Sequence, residues 1–177
     1  AYAAADGVFW MSQVTDRNSV VRKLQAIKVR GLAPMPGMHT FKISTTGIRV
    51  YPRIPEQQFQ RHPTSSRRLS SGIPGLDAAM GGGIPAGDAL MIGGPAGSGK
   101  TTFATQFAAE GMRLGESVII VVFEEYPEDY LARAKARNQD IESMIVPGNF
   151  RMIYLRPLDL SVDETLAEIL DGVMEIG

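Results

Sequence analysis

Gly94-Pro95-Ala96-Gly97-Ser98-Gly99-Lys100-Thr101 matches the pattern G-x-x-x-x-G-K-[ST] at every position, and its reading decides the fold. The glycines let the backbone turn its N–H groups inward and approach phosphate oxygens with no Cβ in the way. Lys100 would place an ammonium on the β- and γ-phosphates, and Thr101 would offer its hydroxyl to Mg2+. The context such a loop needs lies on both sides. Asp88 to Ile92 reads as a short apolar strand leading in. Lys100 to Leu114 reads as a helix whose positive N-terminal end favours an anion, with Phe103, Phe107 and Met112 on or near one face and Gly115 as its stop. The expected ligands are ATP and Mg2+. The expected contacts are Gly94, Pro95, Ala96, Gly97, Ser98, Gly99, Lys100, Thr101 and Thr102, with Thr101 on the metal.

Downstream, Val118-Ile119-Ile120-Val121-Val122-Phe123 is a continuous apolar, β-branched run, the pattern of a strand buried on both faces of a parallel sheet. Glu124 and Glu125 follow directly. Carboxyl ends of strands in open α/β sheets face the ligand crevice, so either acid could orient or deprotonate water attacking a γ-phosphate. The residues alone leave a second reading open, that of solvated acids ahead of a helix opened by Pro127. Phe150 to Leu155 reads as a further strand. Ser161 and Glu164 stand at capping-box spacing before a helix with Leu166, Ile169, Leu170 and Val173 on one face. This alternation predicts a doubly wound α/β sheet with right-handed crossovers.

Upstream, the style changes. Val8 to Met11 is a compact apolar run, and Leu24 to Arg30 alternates apolar and polar residues as a half-buried strand does. His39 to Ile43 and Ile48 to Tyr51 flank Ser44-Thr45-Thr46-Gly47, a hairpin signal. Lys28 and Arg30 fall on one face of a strand end. They read either as solvated edge charges or as a cationic finger that neutralises charge on a transferred phosphate. Residues 54–68, rich in proline, glutamine and serine, read as a linker.

With 44% hydrophobic and 21% charged residues the composition is that of a globular protein. The net charge of −1 gives no reason to expect nucleic acid as a partner. Residues 1–60 hold eight Lys/Arg against three Asp/Glu, while residues 111–177 hold six against thirteen. These are two solvated surfaces of opposite sign, or a basic front that faces an acidic or nucleotide-filled surface of another subunit. The absence of cysteine excludes disulfides and thiolate metal sites. No apolar run approaches the ~20 residues of a bilayer span, and a cytoplasmic location is expected. The first residues, Ala1-Tyr2-Ala3-Ala4-Ala5-Asp6, lack an initiator Met and a basic signal-peptide start, so the chain is expected to be part of something longer.

Several motifs together resemble the KaiC family of RecA-like ATPases, whose best-known members are cyanobacterial clock proteins. Leu69-Ser70-Ser71-Gly72-Ile73-Pro74-Gly75-Leu76-Asp77 and Gly81-Gly82-Gly83-Ile84-Pro85-Ala86-Gly87 look like the family's lead-in to the phosphate loop. Phe123-Glu124-Glu125 is similar to its strand with paired catalytic glutamates. Lys28-Val29-Arg30-Gly31, His39 to Ile43 and Gly47 to Pro52 are similar to the closing strands of such a domain. The resemblance implies an α/β, RecA-like P-loop NTPase core, incomplete here and preceded by the terminal β-strands of a previous KaiC-type domain. Residues 1–53 would be those strands, 54–68 the linker and 69–177 the front of a second domain.

The resemblance further implies a hexameric ring with ATP between subunits, in which Lys28 and Arg30 reach a neighbour's nucleotide and Glu124 and Glu125 serve hydrolysis. It leaves room for serine/threonine autokinase activity in the full-length protein and for signalling partners. No apolar strand ending in Asp follows Glu125, since Ile153-Tyr154-Leu155 runs into Arg156 and Pro157. The metal-holding Walker B Asp is therefore expected outside these residues. The chain alone is expected to be inactive, and the strand leading into the phosphate loop is expected to lack a central neighbour. Two other classes stay open: a RecA-like DNA-dependent recombinase or helicase, and a non-hydrolysing, nucleotide-gated scaffold.

Overall fold

A computed structural model describes residues 4–16, 19–53, 66–156 and 160–176. The chain divides into two compact units, one formed by Ala1–Phe59 with Arg156–Leu170 and the other by Gln60–Leu155 with Asp171–Gly177.

In the first unit the period-two segments become a four-stranded antiparallel sheet, β1 (Gly7–Asp16), β2 (Ser19–Val29), β3 (His39–Ser44) and β4 (Gly47–Tyr51), in that order. The β3–β4 hairpin turns where expected. Gly47 takes φ +114°, a conformation open to glycine, and pairs with Ser44 across the turn. Between β1 and β2 the register shifts, so that Val8 faces Lys28 while Phe9 faces Ala26. This bulge interrupts the alternation expected for Leu24 to Arg30: Lys28 is half-buried and Ile27 is exposed. Phe9, Trp10 and Met11 are all exposed, so neither side of that stretch is closed.

Helix α4 (Val162–Ile176) begins in this unit with the expected capping box. The Ser161 N–H donates to Glu164 Oε2 at 2.6 Å, and the Glu164 N–H donates to Ser161 Oγ at 3.3 Å. Glu164 is buried and takes the Lys42 ammonium at 3.0 Å. Asp163 accepts from Thr40 Oγ1 at 3.0 Å and lies 3.7 Å from Lys23, and Glu168 lies 3.7 Å from Arg49. Basic front and acidic tail thus meet within one chain. Half-exposed pairs such as Arg49 with Glu168 are worth at most about 1 kcal/mol each, so Glu164 is the member that matters. The apolar stripe expected on α4 is only partly closed, with Leu166 and Ile169 half-buried but Leu170 and Val173 exposed.

Residues 54–65 of the expected linker lie outside the described residues. Its last residue is already structured, for Arg68–Leu69 form β5, paired antiparallel with β6 (Ile84–Pro85). Between them α1 (Pro74–Ala79) starts with proline in its first turn. Asp77 binds this segment together. One carboxylate oxygen accepts from the Ser71 hydroxyl at 2.6 Å and the Ser71 N–H at 2.9 Å, and the other accepts from the Ser70 hydroxyl at 2.8 Å. These bonds, that of the Ser71 hydroxyl first, hold the Asp77 carboxyl below its usual value. A carboxylate whose folded pKa is depressed stabilises the fold above its unfolded value, and the contribution disappears as pH falls through the folded one. The destabilisation caused by Asp77→Asn is therefore expected to be fully present near neutral pH and to shrink below about pH 4. Melting curves of both proteins across that range check this, and a difference independent of pH would contradict it.

The rest of the second unit carries α2 (Lys100–Arg113), β7 (Val118–Val122), α3 (Pro127–Lys135) and β8 (Phe150–Tyr154). β7 and β8 pair in parallel with α3 between them, a β-α-β unit. A core of Ala108, Ala109, Met112, Val122, Tyr130 and Ile141 binds α2 and α3 to β7.

Three expectations are corrected here. Asp88 to Ile92 forms no strand, and among the described residues the parallel sheet has two strands rather than a doubly wound set. The physical reason is that a strand exists only by pairing. Without a neighbour, Leu90 and Ile92 stay partly exposed and Met91 is 92% exposed. For the same reason β7 is half-buried over most of its length, not buried on both faces. On α2 the buried face is Thr105, Ala108, Ala109 and Met112, while Phe103 and Phe107 are half-buried. Small side chains occupy the face that packs closest. No helix among the described residues is long and apolar enough to cross a membrane.

Candidate nucleotide site

The loop before α2 has the backbone its glycines allow. Gly99 caps the helix at φ +90°, and a Cβ on Gly94 would stand 2.6 Å from Ser98 Oγ, so that the Ser98 hydroxyl would have to move aside. Lys100 bends back over this loop, its ammonium donating to the Gly94 carbonyl at 2.8 Å and the Pro95 carbonyl at 2.7 Å. A cation is thus held at the mouth of a turn whose N–H-rich helix start favours anions.

A cavity of about 460 Å³ opens beside it, and Lys100, Thr101, Glu124 and Glu125 all line it, together with Ile92, Phe123 and Tyr130. Of the expected phosphate-loop contacts, Lys100 and Thr101 are thus brought to one place with the glutamate pair, while Gly94 to Gly99 and Thr102 are not part of the lining. Pro127, the first residue of α3, follows Tyr126, which packs against Tyr154 with ring centroids 5.1 Å apart. The chain between β7 and α3 is thereby pinned at the carboxyl end of the two strands.

The glutamates differ in their surroundings. Glu124 is exposed and, among the described residues, has no hydrogen-bond or ion-pair partner. Glu125 is half-buried and ion-paired to Arg133 of α3.

Sequence reasoning missed the connection between the phosphate loop and α3. Thr105 donates its hydroxyl to the Thr101 carbonyl at 2.7 Å and lies 2.7 Å from the Tyr130 hydroxyl. Since the Thr105 proton is used on Thr101, Tyr130 must donate to Thr105. Burial pushes the Tyr130 phenol above its usual value, in keeping with that donor role. The spacing of Thr101 and Thr105, one helical turn apart, was a usable signal; the tyrosine was not. A further tie runs from Gln139 Nε2 to the Thr102 carbonyl at 3.0 Å.

Lys28 and Arg30 lie in the other unit. The Lys28 ammonium donates to the Ala5 carbonyl at 2.8 Å, and Arg30 pairs with Asp6 at 3.0 Å with both side chains largely exposed. Lys28 lies in β2 and Arg30 just past its end at Val29, the first half-buried and the second exposed, and their role toward a nucleotide stays an expectation.

The donor set fits a metal-bound nucleoside triphosphate: a glycine-walled loop, one ammonium, one threonine hydroxyl and two carboxylates around a common space. Among the described residues no group of three or more His, Cys, Asp or Glu could hold a metal ion by itself.

Comparison with known proteins points the same way. A family described as "ATPase: KaiC" matches residues 69–171. "Circadian clock oscillator protein KaiC" of Picosynechococcus sp. is 29% identical over 171 residues, covering 97% of this chain and 33% of that protein. The protein of the same name from Prochlorococcus marinus is 29% identical over 169 residues, 96% of this chain and 34% of its own. "Circadian clock oscillator protein KaiC 1" of Synechocystis sp. is 28% identical over 171 residues, 97% and 33%. The chain spans about a third of the length of these curated relatives.

Proposed function

This chain belongs to the KaiC ATPase family, and on that premise we propose that it supplies the phosphate-binding and water-activating parts of an ATP-hydrolysing site. The observation that carries the reading is that Lys100, Thr101, Glu124 and Glu125 line a single cavity. Lys100 and the N–H groups of Gly97 to Thr101 bind the phosphates. Thr101 holds the metal, and Mg2+ when bound supplies charge neutralisation on the phosphoryl oxygens. A glutamate accepts a proton from the attacking water as its oxygen bonds the γ-phosphorus and the bond to ADP breaks.

The remaining expectations belong to the same proposal. Lys28 and Arg30 serve the nucleotide of an adjacent subunit in a self-associated ring, consistent with their lying in a separate compact unit. Serine/threonine autokinase activity, signalling partners and a cytoplasmic location are properties of the full-length gene product. The incomplete core and the preceding domain's strands are likewise part of this reading.

Turnover of ATP by the full-length gene product, followed as phosphate release, tests it. Chelation of divalent metal is expected to lower the rate at least about a hundredfold, with recovery on adding excess Mg2+. Persistence of the rate in chelator would reject the site as drawn, and stimulation by single-stranded DNA would move the protein to the recombinase or helicase class.

A further inference from the structure

We infer that Arg133 is a positioning residue that divides the work of the two glutamates, fixing Glu125 as an anchored acceptor and leaving Glu124 to take the proton of the attacking water. The inference rests on the hydrolytic reading above and adds to it a residue on α3 and an assignment within the pair.

Arg133 stands two turns into α3, roughly 9 Å along the axis from Pro127. Helical side chains tilt toward the N-terminus of their helix, so its guanidinium reaches back to the carboxylate that precedes the helix. One terminal nitrogen donates a hydrogen bond to Glu125 Oε1 and is in ion contact with Oε2. The Glu125 side chain is 25% exposed and that of Arg133 42% exposed, so the contact is partly sheltered from bulk water. The next turn of α3 is held as well, because Tyr130 is 5% exposed and bonded to Thr105. The arginine therefore works from a helix tied to the phosphate-loop helix.

Two consequences follow from chemistry. Swinging the Glu125 carboxylate onto a water would require breaking the ion pair, whereas Glu124 has no such tie among the described residues. Glu125 Oε2 is buried and in ion contact with Arg133, so both oxygens of that carboxylate are engaged by the guanidinium. The residue nevertheless lines the cavity that also contains Glu124. Held still by Arg133, the Glu125 carboxylate keeps its charge at a fixed place beside the water while Glu124, which has no such tie, takes the proton. The water oxygen then bonds the γ-phosphorus and ADP leaves with the electrons of the broken P–O bond.

The test is steady-state ATP turnover and nucleotide affinity in single and double variants of the full-length gene product. Arg133→Gln is expected to lower kcat about ten- to a hundredfold, the scale of losing orientation at a reacting centre, with KM and ATP affinity unchanged. Arg133→Lys, which keeps a cation but not the planar fork, is expected to recover part of the loss. Glu125→Gln is expected to match Arg133→Gln, and the double variant to be no worse than either single, because the two act as a unit. Glu124→Gln is expected to lower kcat by about 10²–10⁴.

Unchanged kcat in Arg133→Gln, or fully additive losses in the double variant, would overturn the inference, while a slowed Glu124→Gln would leave the hydrolytic reading standing. Wild-type turnover in Glu124→Gln would remove both. If Arg133→Gln melts early or fails to bind nucleotide, the comparison of Arg133→Lys with wild type decides instead: a kcat equal to wild type supports a charge tie of any geometry and overturns the positioning role, and a lowered kcat with intact affinity supports it.

Discussion

Lys100→Ala in the full-length gene product is expected to lower ATP turnover at least about a thousandfold and to remove measurable nucleotide binding. Loss of one neutral donor at a developing anion ordinarily costs about 10²–10³ in rate, and Lys100 adds a full charge to its hydrogen bonds. The fold should survive the change. Among the described residues the ammonium makes two hydrogen bonds, both to carbonyls of its own loop, and Lys100 is not a member of the core around Ala108, Met112 and Ile141. Titration with a fluorescent nucleotide, phosphate release and a melting curve separate these effects. Ring assembly, if nucleotide holds it, is lost with binding. Wild-type turnover in this variant would mean that phosphate is held elsewhere.

Replacing both Glu124 and Glu125 by glutamine is expected to have the opposite signature: nucleotide affinity kept, hydrolysis lowered by about 10²–10⁴. Glutamine preserves shape and an acceptor oxygen but cannot take a proton. The two glutamates line the cavity but are not part of the Gly94 to Thr101 loop, which is why binding and chemistry should part. Saturating-substrate turnover measured beside equilibrium affinity makes the distinction. Affinity lost together with rate would assign the pair a structural role, that of acids ordering the approach to α3.

What was legible in the sequence was what is decided locally. The phosphate loop was readable because its glycines, lysine and threonine act through backbone geometry within eight residues. Pro127 announced α3, Gly47 the hairpin, and Ser161 with Glu164 the start of α4, because each rule spans three or four positions. Asp88 to Ile92 was misread because an apolar run has strand propensity but no power to supply its own neighbour. On α2, hydrophobicity pointed to Phe103, Phe107 and Met112; Met112 is buried, while Ala108 and Ala109, whose small size admits the closest approach, take the places beside it and the two phenylalanines stay half-buried. Arg133 and Tyr130 escaped notice altogether. Eight residues separate Glu125 from Arg133 and twenty-five separate Thr105 from Tyr130, and no helical or strand period links such pairs.

The posture of Lys100 has an energetic corollary. The ammonium is solvated within its own loop, by the carbonyls of Gly94 and Pro95. Arrival of a nucleotide is then a hand-over in which a stronger, charged acceptor displaces two neutral ones, and departure is the same exchange run backwards. The loop thus carries its own internal counterpart to the lysine, and the cost of reorienting that side chain is two neutral hydrogen bonds rather than an ion pair.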